Sequence, residues 1–111
     1  MMKFAVPTFN NELTAHFGHC EKFAIIETDN NTIVKEEFIN PPVHHPGAYP
    51  RFLAEMGVDV IIAGGMGHKA QTLFSENNIE VCVGVVQGSP KELVQQFLDN
   101  TLTTGHNLCD H

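Results

Sequence analysis

Val58-Asp59-Val60-Ile61-Ile62-Ala63-Gly64-Gly65-Met66-Gly67 is the stretch from which the fold is read. Segment 58–63 is near-continuously apolar and β-branched, the pattern of a strand covered on both faces, as in a parallel sheet. The glycines after it open a helix over 67–77 with Met66, Ala70, Leu73 and Phe74 on one face. Upstream, Tyr49, Phe52, Leu53 and Met56 recur at helical spacing, so a helix over 48–57 leads into the strand. Pro50 sits in its first turn and Gly57 just past its end. Downstream, 81–86 is another β-rich run. Ser89-Pro90-Lys91-Glu92 is a capping-box pattern that opens a helix over 90–102.

The first half of the chain reads differently. Met2 to Val6 is a short apolar strand ended by Pro7. Segments 23–28 and 32–39 are strands joined at Asp29-Asn30-Asn31, where Asx side chains favour a turn with positive φ. The second of these carries Lys35-Glu36-Glu37, the charge decoration of an edge strand. Between the first two strands, 9–20 is polar and irregular, a long loop. Pro41 to Gly47 is too rich in proline for helix or ladder. Strands that alternate with helices imply right-handed crossovers and a parallel core. The expected architecture is α/β: a mixed five-stranded sheet with helices on its faces, strands one, four and five parallel, and the hairpin at one edge. Residues 1–105 form the single domain and 106–111 a short Cys/His tail. Phe52, Leu53, Leu73, Phe74, Phe97 and Leu98 are the expected core.

Composition narrows the function. Asp and Glu number 13 against 6 Lys and Arg, a net charge of −7, which argues against a nucleic-acid footprint and leaves no polybasic patch for a membrane. No stretch approaches a membrane span, and Met1 to Pro7 lacks the apolar region of a signal peptide, so the cytoplasm is expected. Three cysteines cannot form a complete disulfide framework within one chain. Ser75 and Ser89 lack a nucleophile-elbow context, Asp59 lies at the start of a strand, and no carboxylate pair suggests acid–base work, so a binder or carrier is expected rather than an enzyme.

Ligands of such sheets lie beyond the carboxyl ends of the parallel strands. Three segments leave those ends: the loop after Val6, the glycine loop after Ala63, and Gln87-Gly88. The first contains His16, His19 and Cys20 within five residues, a set suited to zinc, copper or iron–sulfur species. His44 and His45 are a second pair, of which an extended backbone aims at most one at a given site. Cys109 and His111 form a third group in the tail, able to wrap a metal but too short for a zinc finger. Cys82 lies among valines and is expected in the core. Gly65-Met66-Gly67-His68-Lys69-Ala70 satisfies G-x-G-x-x-A, yet no carboxylate ends the following strand, so a dinucleotide site is disfavoured. The glycines read either as a turn that needs positive φ or as an anion site in which Gly64, Gly65, Met66 and Gly67 supply backbone amides.

His16-Phe17-Gly18-His19-Cys20, Pro46-Gly47, the 58–67 stretch and the ending Asn107-Leu108-Cys109-Asp110-His111, in this order along the whole chain, resemble the dinitrogenase iron–molybdenum cofactor biosynthesis family, the NifX-like proteins that also form the C-terminal part of NifB. The resemblance implies an RNase H-like three-layer fold. It also implies a non-enzymatic role in binding or carrying an iron–sulfur or iron–molybdenum type cluster or its precursor, in exchange with cluster-biosynthesis or acceptor proteins. A metal-free interaction or regulatory domain, or a simple binder of zinc or another metal, is the alternative. The site is expected between the 16–20 loop, the His44-His45 loop and the Gly64–Gly67 turn, with the tail folding over it.

Overall fold

Two Asn-Asn pairs set the first half of the fold. In the computed structural model, which describes residues 1–15, 17, 20–43, 47–102 and 104, strand β1 runs Met2–Phe9 and β2 is the two-residue Glu12–Leu13. Asn10 and Asn11 join them with φ of 55° and 66°. Asn30 and Asn31, at 52° and 61°, join β3 (Lys22–Asp29) to β4 (Thr32–Ile39) in the same way. Both are two-residue hairpins with positive φ at each central position, a conformation that asparagine tolerates and that matches the twist of paired strands.

Among the described residues the sheet therefore has six strands, not five. The sixth, β2, arises because β1 continues through Pro7 instead of ending there. The Pro7 carbonyl points away from β3, toward the Thr14 amide at 3.0 Å. The missing N–H falls on that same side, where β5 has already stopped pairing, so no ladder bond is lost.

The second half alternates α1 (Ala48–Glu55), β5 (Val60–Ile62), α2 (His68–Glu76), β6 (Glu80–Cys82) and α3 (Pro90–Leu98). The order across the sheet is β4-β3-β1-β5-β6, with β2 beside β1. β1, β5 and β6 are mutually parallel, and the β3–β4 hairpin forms one edge, antiparallel to β1.

Each of α1, α2 and α3 stops on a left-handed residue, and these stops explain why the elements are shorter than the apolar runs suggest. Gly57 at φ 82° lets Val58 N–H bond back to the Leu53 carbonyl, so Val58 belongs to the helix ending and not to β5. Asn78 does the same for α2, through Ile79 and Phe74. Asn100 ends α3 early, through Thr101 and Gln96, so the helix does not reach Leu102. Strand β6 ends at Cys82, two residues before Gly84 takes φ 79°. The capping box holds: Ser89 Oγ accepts from the Glu92 amide, and the Glu92 carboxylate accepts from the Ser89 amide.

The sheet separates two apolar layers. Ala5, Phe23, Ile25 and Ile61 face α1 and α2, against Tyr49, Leu53 and Phe74. Phe4, Val6, Ile26, Val60 and Ile62 face α3, against Leu93 and Val94. Of the six expected core residues, Leu53 and Phe74 are fully buried. Phe52, Leu73, Phe97 and Leu98 are only half-buried, because each lies at the margin of its helix's inner stripe. Phe97 still meets Phe4 edge-on at 5.1 Å.

Candidate functional site

At the carboxyl ends of the parallel strands, the chain after β2 crosses the end of β5. The Gly65 amide donates to the Ala15 carbonyl at 2.8 Å, and the Phe17 amide donates to the Gly65 carbonyl at 3.1 Å. The two residues that flank His16 are thus both bonded to the glycine turn. From the other side, Gly84 N–H donates to the Gly64 carbonyl at 2.7 Å. Two of the three segments that should meet here do so directly. The third meets β2 instead, where the Leu13 amide donates to Gly88, beside a cavity of about 410 Å³ lined by Glu12, Leu13, Gln87, Gly88, Glu92 and Gln96.

The glycines are present for a different reason than conformational freedom. None of Gly64, Gly65 and Gly67 has positive φ. A Cβ on Gly64 would lie 3.1 Å from the Ala15 carbonyl oxygen and 3.2 Å from those of Thr14 and Val85. Gly64 is therefore a close-approach glycine, where two backbone segments press on the end of β5. Gly67 is the opposite case: φ is −62° and a Cβ there meets nothing within 4 Å. It precedes α2 without a side-chain cap, so the helix start is left to other partners. The Gly65 amide is taken by Ala15, and the Met66 side chain is buried in the core, with its carbonyl accepting from Gln71 Nε2. What this turn offers an anion is thus narrower than four free amides.

Phe17 is the anchor that a reading of the loop as polar misses. It is buried, meets Tyr49 edge-on at 5.2 Å and Phe74 at 5.4 Å, and lies 6.3 Å from Phe23. Its signal in the sequence is that it is the one large aromatic between Asn10 and Glu21. Each such pair adds about 0.5–1.5 kcal/mol beyond its buried area.

Cys20 is half-buried and packs against this same cluster. Burial pushes its thiol up to about 11, opposed in part by the neighbouring Tyr49 side chain. Tyr49 is itself pushed upward by burial and by the proximity of Cys20. Cys82 is half-buried on the α3 face, as expected of a packing residue, and burial and the Glu80 carboxylate push it to about 11. At neutral pH the Cys20 thiol is protonated, so capture of a thiophilic metal there displaces a proton. Between about pH 6 and pH 8 the apparent affinity of Cys20 for such a metal should rise by up to tenfold per unit, and a Cys20→Ser chain should show a shallower rise. Iron retained per chain at each pH measures this, and equal slopes would show that Cys20 is not a ligand.

His16, His19, His44, His45, Cys109 and His111 lie outside the described residues. Among the described residues, no three His, Cys, Asp or Glu side chains gather as a metal centre, and no helix is long and apolar enough to cross a membrane.

The fold is shared with solved structures. The crystal structure of PH0822 superposes with a TM-score of 0.86 at 21% identity, covering 95% of this chain and 96% of that one. The apo form of the orange protein from Desulfovibrio gigas gives 0.77 at 22% identity, covering 96% and 95%. In sequence, the chain is 37% identical over 107 residues to the protein MJ0580 of Methanocaldococcus jannaschii, across 92% of this chain and 90% of that protein. The family model described as dinitrogenase iron-molybdenum cofactor matches residues 1–100. The chain belongs to the dinitrogenase iron–molybdenum cofactor family.

Proposed function

We propose that this protein binds or carries an iron–sulfur or iron–molybdenum type metallocluster, or a precursor of one, without catalysing a reaction on it. The observation that carries this reading is the docking of the chain around His16 onto the Gly64–Gly65 turn, with Cys20 held nearby at the same end of the sheet. Imidazole and thiolate are the donors such cargo takes, and the uncapped start of α2 favours negative charge. His16, His19 and Cys20 are the first ligands in this account. His44, His45, Cys109 and His111 complete the shell, and the Gly64–Gly67 backbone faces the cargo's anionic side. Family membership supports cofactor handling. Cluster-biosynthesis or acceptor proteins in the cytoplasm are then the partners, and the sheet order with helices on both faces suits the RNase H-like fold.

Two paired variants test the ligand set: Cys20→Ser with His16→Ala, and Cys109→Ser with His111→Ala, each reconstituted anaerobically with iron and sulfide. The first pair should lose most of the bound iron and sulfide. Retention equal to the parent in both pairs would remove these residues from the site.

A further inference from the structure

The sheet ends on β6 at one side and on β4 at the other. β6 is three residues long and offers little to pair with. β4 is eight residues long, Thr32–Ile39, and among the described residues no strand pairs with its outer side. An open edge of that length presents a row of unpaired backbone N–H and C=O groups. Its apolar side chains are also incompletely covered: Val34 is 57% exposed, and Ile33, Phe38 and Ile39 are only half-buried. Along the strand they flank three charges, in the order Ile33-Val34-Lys35-Glu36-Glu37-Phe38-Ile39.

We propose that β4 is a self-complementary edge that pairs antiparallel with β4 of a second copy of this chain, about a two-fold axis at Glu36. Directly opposite residues of an antiparallel pair lie on the same face, so the axis must relate one residue to its own copy. With the axis at Glu36, Lys35 stands opposite the partner's Glu37, Val34 opposite the partner's Phe38, and Ile33 opposite the partner's Ile39. Opposite charges and apolar pairs placed this way stabilise a ladder. With the axis at Lys35, lysine meets lysine, and Val34 and Ile33 face the partner's Glu36 and Glu37. With the axis at Glu37, glutamate meets glutamate, and Phe38 and Ile39 face the partner's Glu36 and Lys35. In the favoured register Glu36 meets the partner's Glu36, but Lys91 of the same chain lies 3.7 Å from it and offsets that charge. The charges that keep a lone edge from indiscriminate pairing thus admit one register. Val34 is passed over in the β3–β4 register, a bulge, so the straight part of the new ladder is centred on the three charged residues. One strand pair makes a small interface, under ~1,200 Å² in total, so the dimer is weak and reversible. β4 points the same way as β1, because each is antiparallel to β3. The pairing therefore turns the two sets of parallel strands in opposite directions, and each copy keeps its own glycine turn at its own end of the joint sheet. This inference does not rest on the cluster-binding reading.

Sedimentation of the full chain over a range of concentrations tests this, with the parent, Lys35→Glu, Glu37→Lys and an equimolar mixture of the two variants. The parent should shift reversibly from monomer to dimer as its concentration rises. Each variant turns both Lys–Glu pairs of the dimer into like-charge pairs, and its self-association should weaken about tenfold or more. Both side chains are exposed, so each variant should melt near the parent in dilute solution. The mixture is the decisive arm. Across a mixed dimer the new glutamate of one chain faces the new lysine of the other at both positions, so association should return to the parent's level. Native mass spectrometry should show one copy of each variant per dimer. A parent that stays monomeric at every concentration overturns the proposal. Variants that dimerise as well as the parent overturn it, since the contact then lies elsewhere. A mixture no more associated than its separate components overturns the register.

Discussion

Phe74→Ala should lower the unfolding free energy by about 3–5 kcal/mol, the range for truncating a fully buried phenylalanine. The ring is 0% exposed and stands in the layer between the sheet and α1/α2. Its removal leaves a cavity in a close-packed cluster that includes Leu53 and Phe23. The loss extends to the site, because Phe17 meets Phe74 edge-on at 5.4 Å and loses that wall. Denaturant unfolding of the metal-free protein measures the effect. A loss below about 1 kcal/mol would mean that the inner face of α2 is not where the core lies.

Gly64→Ala should cost about 1–3 kcal/mol, although it adds a single methyl group. The three oxygens it meets, at 3.1 to 3.2 Å, are all backbone, from Thr14, Ala15 and Val85. Ala15 cannot withdraw without stretching the 2.8 Å bond from Gly65, nor can the Val85 segment without disturbing the bond from Gly84 to Gly64. The added methyl therefore pushes the site loop off the sheet, and cargo retention should fall together with stability. Gly67→Ala is the control: its φ is ordinary and the space around it is open, so the fold should change by no more than the ~1 kcal/mol of a weaker helix start. Equal stability of the Gly64→Ala chain and the parent would show that the loop does not press on β5 as closely as described.

The architecture is legible from the sequence wherever one physical signal dominates. The β-branched run at 58–63, the helical stripe from Tyr49 to Met56 and the Ser89–Glu92 capping box each specify an element without tertiary help. β2 escapes such a reading because two residues carry no periodicity. Its real signal is Asn10-Asn11, the same pair that joins β3 to β4, placed after a proline that seems to close the strand. The expected ends at Leu102 and Val86 lie beyond the observed ones for one shared reason. Apolar residues continue past the point where a left-handed Gly or Asn has already turned the chain.

Part of the geometry around the candidate site was legible. That the loop after β1 and the turn after β5 would meet follows from strand order alone, and the bonds from Gly65 to Ala15 and from Phe17 to Gly65 show the meeting. The roles of Phe17 and Tyr49 were not legible, because an aromatic in a polar loop and a tyrosine on a helix stripe carry no sign of each other. Only the fold brings the ring of one against the ring of the other, in the cluster against which Cys20 packs.

The central claim is that this chain takes up a metallocluster at the carboxyl ends of its parallel strands. The measurement that tests it most directly is iron, molybdenum and acid-labile sulfide per chain in protein isolated without exposure to oxygen, read beside the visible charge-transfer absorbance. The account predicts bound metal and sulfide, with the absorbance that accompanies them, lost together in the His16→Ala, Cys20→Ser chain. A colourless parent, free of metal and sulfide both as isolated and after anaerobic reconstitution, would contradict it and leave a metal-free interaction domain on the same fold.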